Sequence, residues 1–88
     1  MIVRILHEGQ YELPPEALGQ LRRIDDEMMA SLVAGDEQWF KERRDQLLAL
    51  VRSEGKVVAD DMLRESDLVL PHADITLAEA RELFTQFT

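Results

Sequence analysis

Apolar residues recur at three- and four-residue steps through Ala17, Leu21, Ile24, Met28 and Leu32, with Leu18 and Met29 widening the stripe. That spacing returns side chains to one face of a 3.6-residue helix. A second stripe, Phe40, Leu47, Leu48 and Val51, follows the joint Ala34-Gly35-Asp36. The punctuation agrees with two helices. Pro14-Pro15 suits a helix start, because proline presets φ and its missing N–H is no loss in the first turn. Glu16 then meets the positive end of the helix dipole. Gly35 is placed to take the left-handed position that ends one helix, Asp36 to cap the next, and Gly55 to stop it. Residues 14–55 therefore predict a helical hairpin, and its three-residue joint makes the helices antiparallel neighbours. Counting outward from Gly35 sets Glu27 near Arg43, Asp26 near Arg44 and Asp25 near Asp45. Gly19, inside the first stripe, costs about 1 kcal/mol relative to alanine.

Elsewhere the period is two. Residues 2–6 alternate, with Val3 and Ile5 on one face. Glu8-Gly9 is a turn signal, and residues 10–13 place Tyr11 and Leu13 together. An isolated hairpin of this kind is marginal in water and needs further strands or helices behind it. After Gly55 the pattern weakens. Lys56-Val57-Val58 reads as a few extended residues, and residues 59–63, with Asp60-Asp61, as a turn or one helical turn. Residues 67–70 read as a third strand, closed by Pro71, which cannot continue a central ladder. Thr76-Leu77-Ala78-Glu79 matches a capping box, opening a last helix with Leu77, Ala80, Leu83, Phe84 and Phe87 on its buried face. The expected class is α+β: a small antiparallel or mixed three-stranded sheet packed against a long helical hairpin plus a C-terminal helix. One domain spans residues 1–88.

Composition narrows the function by exclusion. Eighteen acidic residues against ten basic ones give a net charge of −8, which repels nucleic acid and an anionic membrane surface. A positively charged protein partner is the easier match, although surplus carboxylates also simply keep a small domain soluble. There is no cysteine, hence neither disulfide framework nor thiolate metal site. The start lacks the pattern of a secretion signal. The longest unbroken apolar run, residues 47–51, falls far short of the roughly 20 residues that span a bilayer. A soluble cytoplasmic protein with no direct membrane insertion is expected.

Candidate chemistry is sparse. His7 and His72 fall in loops, which the fold could bring close, but without the spacing of metal ligands. Asp25-Asp26-Glu27 point in different directions from a helix, and Asp60-Asp61 lacks the ligand series of a calcium loop. Ser31, Ser53 and Ser66 have neither elbow glycines nor a paired histidine. No catalytic, cofactor-binding or metal-binding residue is expected, and the chain is not expected to be an enzyme. Trp39, beside Phe40 near the hairpin tip, has two readings: a cover for the end of the core, or a partly exposed anchor for a partner.

Several segments in order along the chain resemble the PspAA family, the small PspA-associated proteins of bacteria and archaea. They are Met1-Ile2-Val3-Arg4-Ile5, Glu8-Gly9-Gln10-Tyr11, Gly35-Asp36-Glu37, Val51-Arg52-Ser53-Glu54-Gly55 and the more specific run over residues 66–77. The resemblance implies a cytoplasmic partner or modulator of PspA, the membrane-remodelling coiled-coil protein of the phage-shock envelope-stress response, which is similar to ESCRT-III subunits. It brings no catalytic residues. It adds Ser66, Asp67, Pro71 and Asp74, from its most specific run, to Trp39 as candidate partner-binding residues. Two other classes stay open. One is a self-associating module whose hairpin pairs with a second copy; the other is a small-molecule sensor with an apolar pocket between sheet and hairpin.

Overall fold

The structure, a computed structural model, describes residues 1–59, 62 and 64–87, with residues 83–87 described by their backbone alone. The turn expected at Asp60-Asp61 and the side chains of Leu83, Phe84 and Phe87 lie outside the described residues.

Strand β1 (Ile2–Ile5) turns back into β2 (Gly9–Glu12), and Val3 pairs with Tyr11 in the antiparallel register. A 3-10 turn, Pro15–Ala17, takes up the two prolines, so α1 (Leu18–Ala34) starts three residues later than Pro15. Its end follows the expected chemistry. Gly35 stands at φ 73°, its N–H donating to the Leu32 carbonyl, while the Asp36 N–H donates to Ser31. Asp36 then caps α2 (Glu37–Glu54), its Oδ1 accepting from the Trp39 N–H at 3.0 Å. Only glycine enters the left-handed region without a steric cost, and an N-cap carboxylate satisfies one otherwise unbonded N–H. The hairpin is thus defined at its joint by local chemistry.

The sheet departs from expectation. It has four strands, not three: Lys56–Val57 forms β3 and pairs antiparallel with β2, Tyr11 opposite Val57 and Glu12 opposite Lys56. Both β3 residues are exposed, so two residues without a buried position gave no alternation to read. The third expected strand is present as β4 (Leu68–Leu70), parallel to β1 with Arg4 opposite Val69. Strand order is β3-β2-β1-β4, a mixed sheet. Helix α3 (Leu77–Phe87) opens on the expected box: Thr76 Oγ1 accepts from the Glu79 N–H, and Glu79 Oε1 accepts from the Thr76 N–H.

The core lies between one sheet face and the hairpin. Val3, Ile5, Leu13 and Leu70 meet Leu21, Ile24, Met28, Leu32, Phe40, Leu47, Leu48 and Val51, with Ile75 closing the side near α3. Across the hairpin Glu27 and Arg43 pair at 2.7 Å, as the register predicts. Arg44 does not reach Asp26. It pairs with Asp45 and donates through Nη1 to the Ile75 carbonyl at 2.7 Å, because the β4–α3 connection packs beside it. Burial, and then the nearby Asp26, raises the pKa of Asp25 above the ordinary carboxylate value; the repulsive neighbour is Asp26, not Asp45.

The other sheet face is covered in part. The connection from β3 to β4 runs from one edge strand to the opposite one. On its way Arg64 meets Gln10, which is buried on the face away from the helices. The Gln10 amide accepts from the Arg64 N–H at 3.2 Å and donates to the Arg64 carbonyl and to Ser66 Oγ.

Candidate partner-binding surface

The residues singled out by sequence do not form one cluster. Trp39 sits in the first turn of α2, half-buried, next to Phe40, which is wholly inside the core. Its placement follows from the cap: Asp36 fixes where α2 starts, and Phe40 then points inward and leaves its neighbour at the rim. Ser66 and Asp67 immediately precede β4; Ser66 is half-buried, Asp67 is exposed, and both are bonded to the sheet. Ser66 Oγ accepts from Gln10 Nε2 at 2.9 Å. Asp67 accepts the Ile2 N–H on Oδ2 at 2.8 Å and returns its own N–H to the Ile2 carbonyl. These bonds fasten the entry to the edge strand to β2 and β1. Pro71 and Asp74 stand beyond the other end of β4, where Asp74 is exposed in the turn closed by the Ile75 N–H on the His72 carbonyl.

Sequence reasoning missed two side-chain assemblies. One is the Gln10 clasp, a polar residue at the centre of a strand with no apolar signal to betray its burial. The other joins the β1–β2 turn to the end of α2. Arg52 donates to both oxygens of Glu8, through Nε at 2.9 Å, and the Tyr11 hydroxyl donates to Glu8 Oε2 at 2.7 Å. With donors from Arg52 and Tyr11 the Glu8 carboxyl is lowered to about 2. Glu8, Tyr11 and Arg52 are each unremarkable in sequence; only the folded register, 44 positions apart for the ion pair, brings them together.

The two histidines do meet. His7, with φ 68°, and His72 have ring centroids 5.7 Å apart, and Nε2 of His72 lies 4.0 Å from Glu79. Among the described residues no group of three or more His, Cys, Asp or Glu is arranged to hold a metal ion. The larger described cavity, about 640 Å³, is a groove between α1 and α2, lined among others by Arg23, Glu27, Arg43 and Glu54. Its lining mixes charged and polar side chains with Ile24, Ala49 and Leu50, and it lies between the helices, not between hairpin and sheet. Among the described residues no helix is long and apolar enough to cross a membrane.

The family model for PspAA, the PspA-Associated protein, matches residues 1–87. The chain belongs to the PspAA family. No curated protein and no solved structure matches it. The match runs through every element of the fold, so the PspAA pattern covers the hairpin, the mixed sheet and α3 together.

Proposed function

We propose that this PspAA chain is a cytoplasmic, non-catalytic partner of a PspA-type protein, modulating that protein by binding it. Membership of a PspA-associated family over residues 1–87 carries the reading. The net charge of −8 supports an approach to basic segments of the partner, because complementary surface charge speeds encounter. Trp39 supports an anchor: it is half-buried at the hairpin tip, with part of the ring open to a partner. Tryptophan at an interface centre often carries a large share of the binding energy.

The test separates the two contributions. Surface charge acts mainly on association and is screened by salt, so raised ionic strength should slow the on-rate of a purified PspA-type protein several-fold. A buried aromatic anchor acts on dissociation. Trp39→Ala, shown to be folded by its melting curve, should dissociate roughly 30-fold faster if the loss is about 2 kcal/mol. Unchanged rates in both experiments would remove the proposed contact mode. Absence of any complex would remove the functional reading itself.

A further inference from the structure

The face of the sheet away from the helices is only half covered. Alternation along β1 puts Val3 and Ile5 against the hairpin and Ile2, Arg4 and Leu6 on the other face. Ile2 and, across the sheet, Gln10 are buried there, next to the connection that holds Arg64 and Ser66. Further along β1 this cover ends. Leu6, whose N–H still bonds to the Leu70 carbonyl, is 39% exposed, and Val69, directly opposite Arg4, is 52% exposed. Beside them on this face lies Arg4, half-buried, whose side chain has no hydrogen bond or ion pair among the described residues. The other half-buried arginines, Arg43 and Arg44, are both paired with carboxylates.

An arginine in this setting has an unusual pair of properties. Register and alternation put it on one face with Leu6 and Val69, its half-burial limits its freedom, and its guanidinium keeps its full set of donors in a planar fork suited to a carboxylate. Arg4 is thus half-buried without a carboxylate among the described residues, and its fork is open to one from outside. We propose that Arg4, Leu6 and Val69 form a docking spot for a partner segment that presents a carboxylate flanked by aliphatic side chains. The carboxylate meets the Arg4 fork, and the aliphatic groups cover Leu6 and Val69. This rests on the partner-binding reading above and adds to it a second contact of opposite polarity. The acidic surface brings the partner in, and a local acidic group on the partner sets the register.

The opposite polarity gives the test a sign. Arg4→Gln makes the domain more negative while keeping a shorter polar side chain with an amide donor. If net charge alone governed binding to a basic partner, Arg4→Gln would leave affinity unchanged or improve it. Arg22→Gln, at an exposed position on α1, makes the same change of charge elsewhere and serves as the control. With a purified PspA-type protein, Arg4→Gln should weaken the dissociation constant about tenfold relative to Arg22→Gln, in line with an arginine at an interface hot spot. Methyl NMR on the wild-type protein should also show Leu6 and Val69 shifting when the partner is added, a readout that needs no variant to fold. A complex in which Arg4→Gln binds as well as Arg22→Gln overturns the proposal and leaves the functional reading standing, whether or not the methyls shift. A complex that leaves both methyls unmoved does the same. If no complex forms with the wild-type protein, the functional reading falls and this proposal falls with it.

Discussion

Two glycines end the two long helices, and they are required for different physical reasons. Gly35 has φ 73°, and a Cβ built there would meet, among the described residues, only Arg81 Nη1, at 3.5 Å. Space is not the constraint; backbone conformation is. Gly55 has φ −87°, which any residue adopts, but a Cβ there would lie 2.5 Å from the Val51 carbonyl oxygen and 2.9 Å from Tyr11 Cβ. There conformation is free and space is not. Gly35→Val should therefore destabilise the domain by about 1–2 kcal/mol, the cost of forcing a β-branched residue into the left-handed region. Gly55→Ala should cost about 1–3 kcal/mol through overpacking against β2. Asparagine separates the two causes, since it tolerates the left-handed region but still carries a Cβ. In thermal melts Gly35→Asn should retain most of the wild-type stability, whereas Gly55→Asn should melt as low as Gly55→Ala or lower. Equal losses at the two positions would show that one of these causes is misassigned.

At the scale of elements, legibility in the sequence follows how local the determinant is. The hairpin was readable because its stripes, the Gly35 stop and the Asp36 cap all lie within a few residues of the feature they specify. The Thr76–Glu79 box was readable for the same reason. Strand β3 was legible only as extended chain, and its pairing was not, since two exposed residues owe it to where α2 delivers the chain beside β2. Arg44 was not, because its carbonyl partner on Ile75 lies 31 positions away. Of the candidate site, the rim position of Trp39 could be read from the stripe; the tethering of Ser66 and Asp67 could not, because the Gln10 amide and the Ile2 N–H that donate to them lie at the far end of the chain. The Gln10 clasp is the clearest such case, and it makes a prediction about the β3–β4 connection as a whole. Gln10→Ala leaves the Arg64 N–H and carbonyl without their partner, which should cost about 1–3 kcal/mol if water does not replace the amide. Amide exchange at Arg64 should accelerate more than at Val3 in β1. Uniform acceleration at both would mean that the clasp supports global stability rather than the seating of this connection.

Across the whole molecule, the layers are tied by a few long-range side chains as well as by the core, and their titration gives the domain a signed pH response. Arg52 on α2 holds Glu8 in the β1–β2 turn, and Tyr11 donates to the same carboxylate. Glu8 is lowered from 4.5 to about 2, first by the Arg52 hydrogen bond and then by Tyr11. A folded-state pKa below the unfolded one contributes stability that is present above the unfolded value and is lost as pH falls through the folded value. The Glu8 contribution should therefore be complete above pH 4.5 and disappear towards about pH 2. The pair is partly solvated, with side-chain exposures of 44% for Arg52 and 28% for Glu8, so its size is that of a surface ion pair, about 0–1 kcal/mol. Asp25 has the opposite sign. Burial, then Asp26, raises its pKa above 3.8, so the stability linked to its neutral form is present below 3.8 and is lost as pH rises through the raised value. Melting temperatures against pH for two variants should separate the groups. Glu8→Gln should melt below wild type at neutral pH, with the gap closing as pH approaches 2 and narrowing in high salt. Asp25→Asn should melt above wild type at neutral pH, with its gap closing near and below pH 3.8. A Glu8→Gln gap that persists at pH 2 would mean that the ion pair is not its source. An Asp25→Asn curve lying below wild type at neutral pH would show that the half-buried carboxylate is stabilised in its charged form after all.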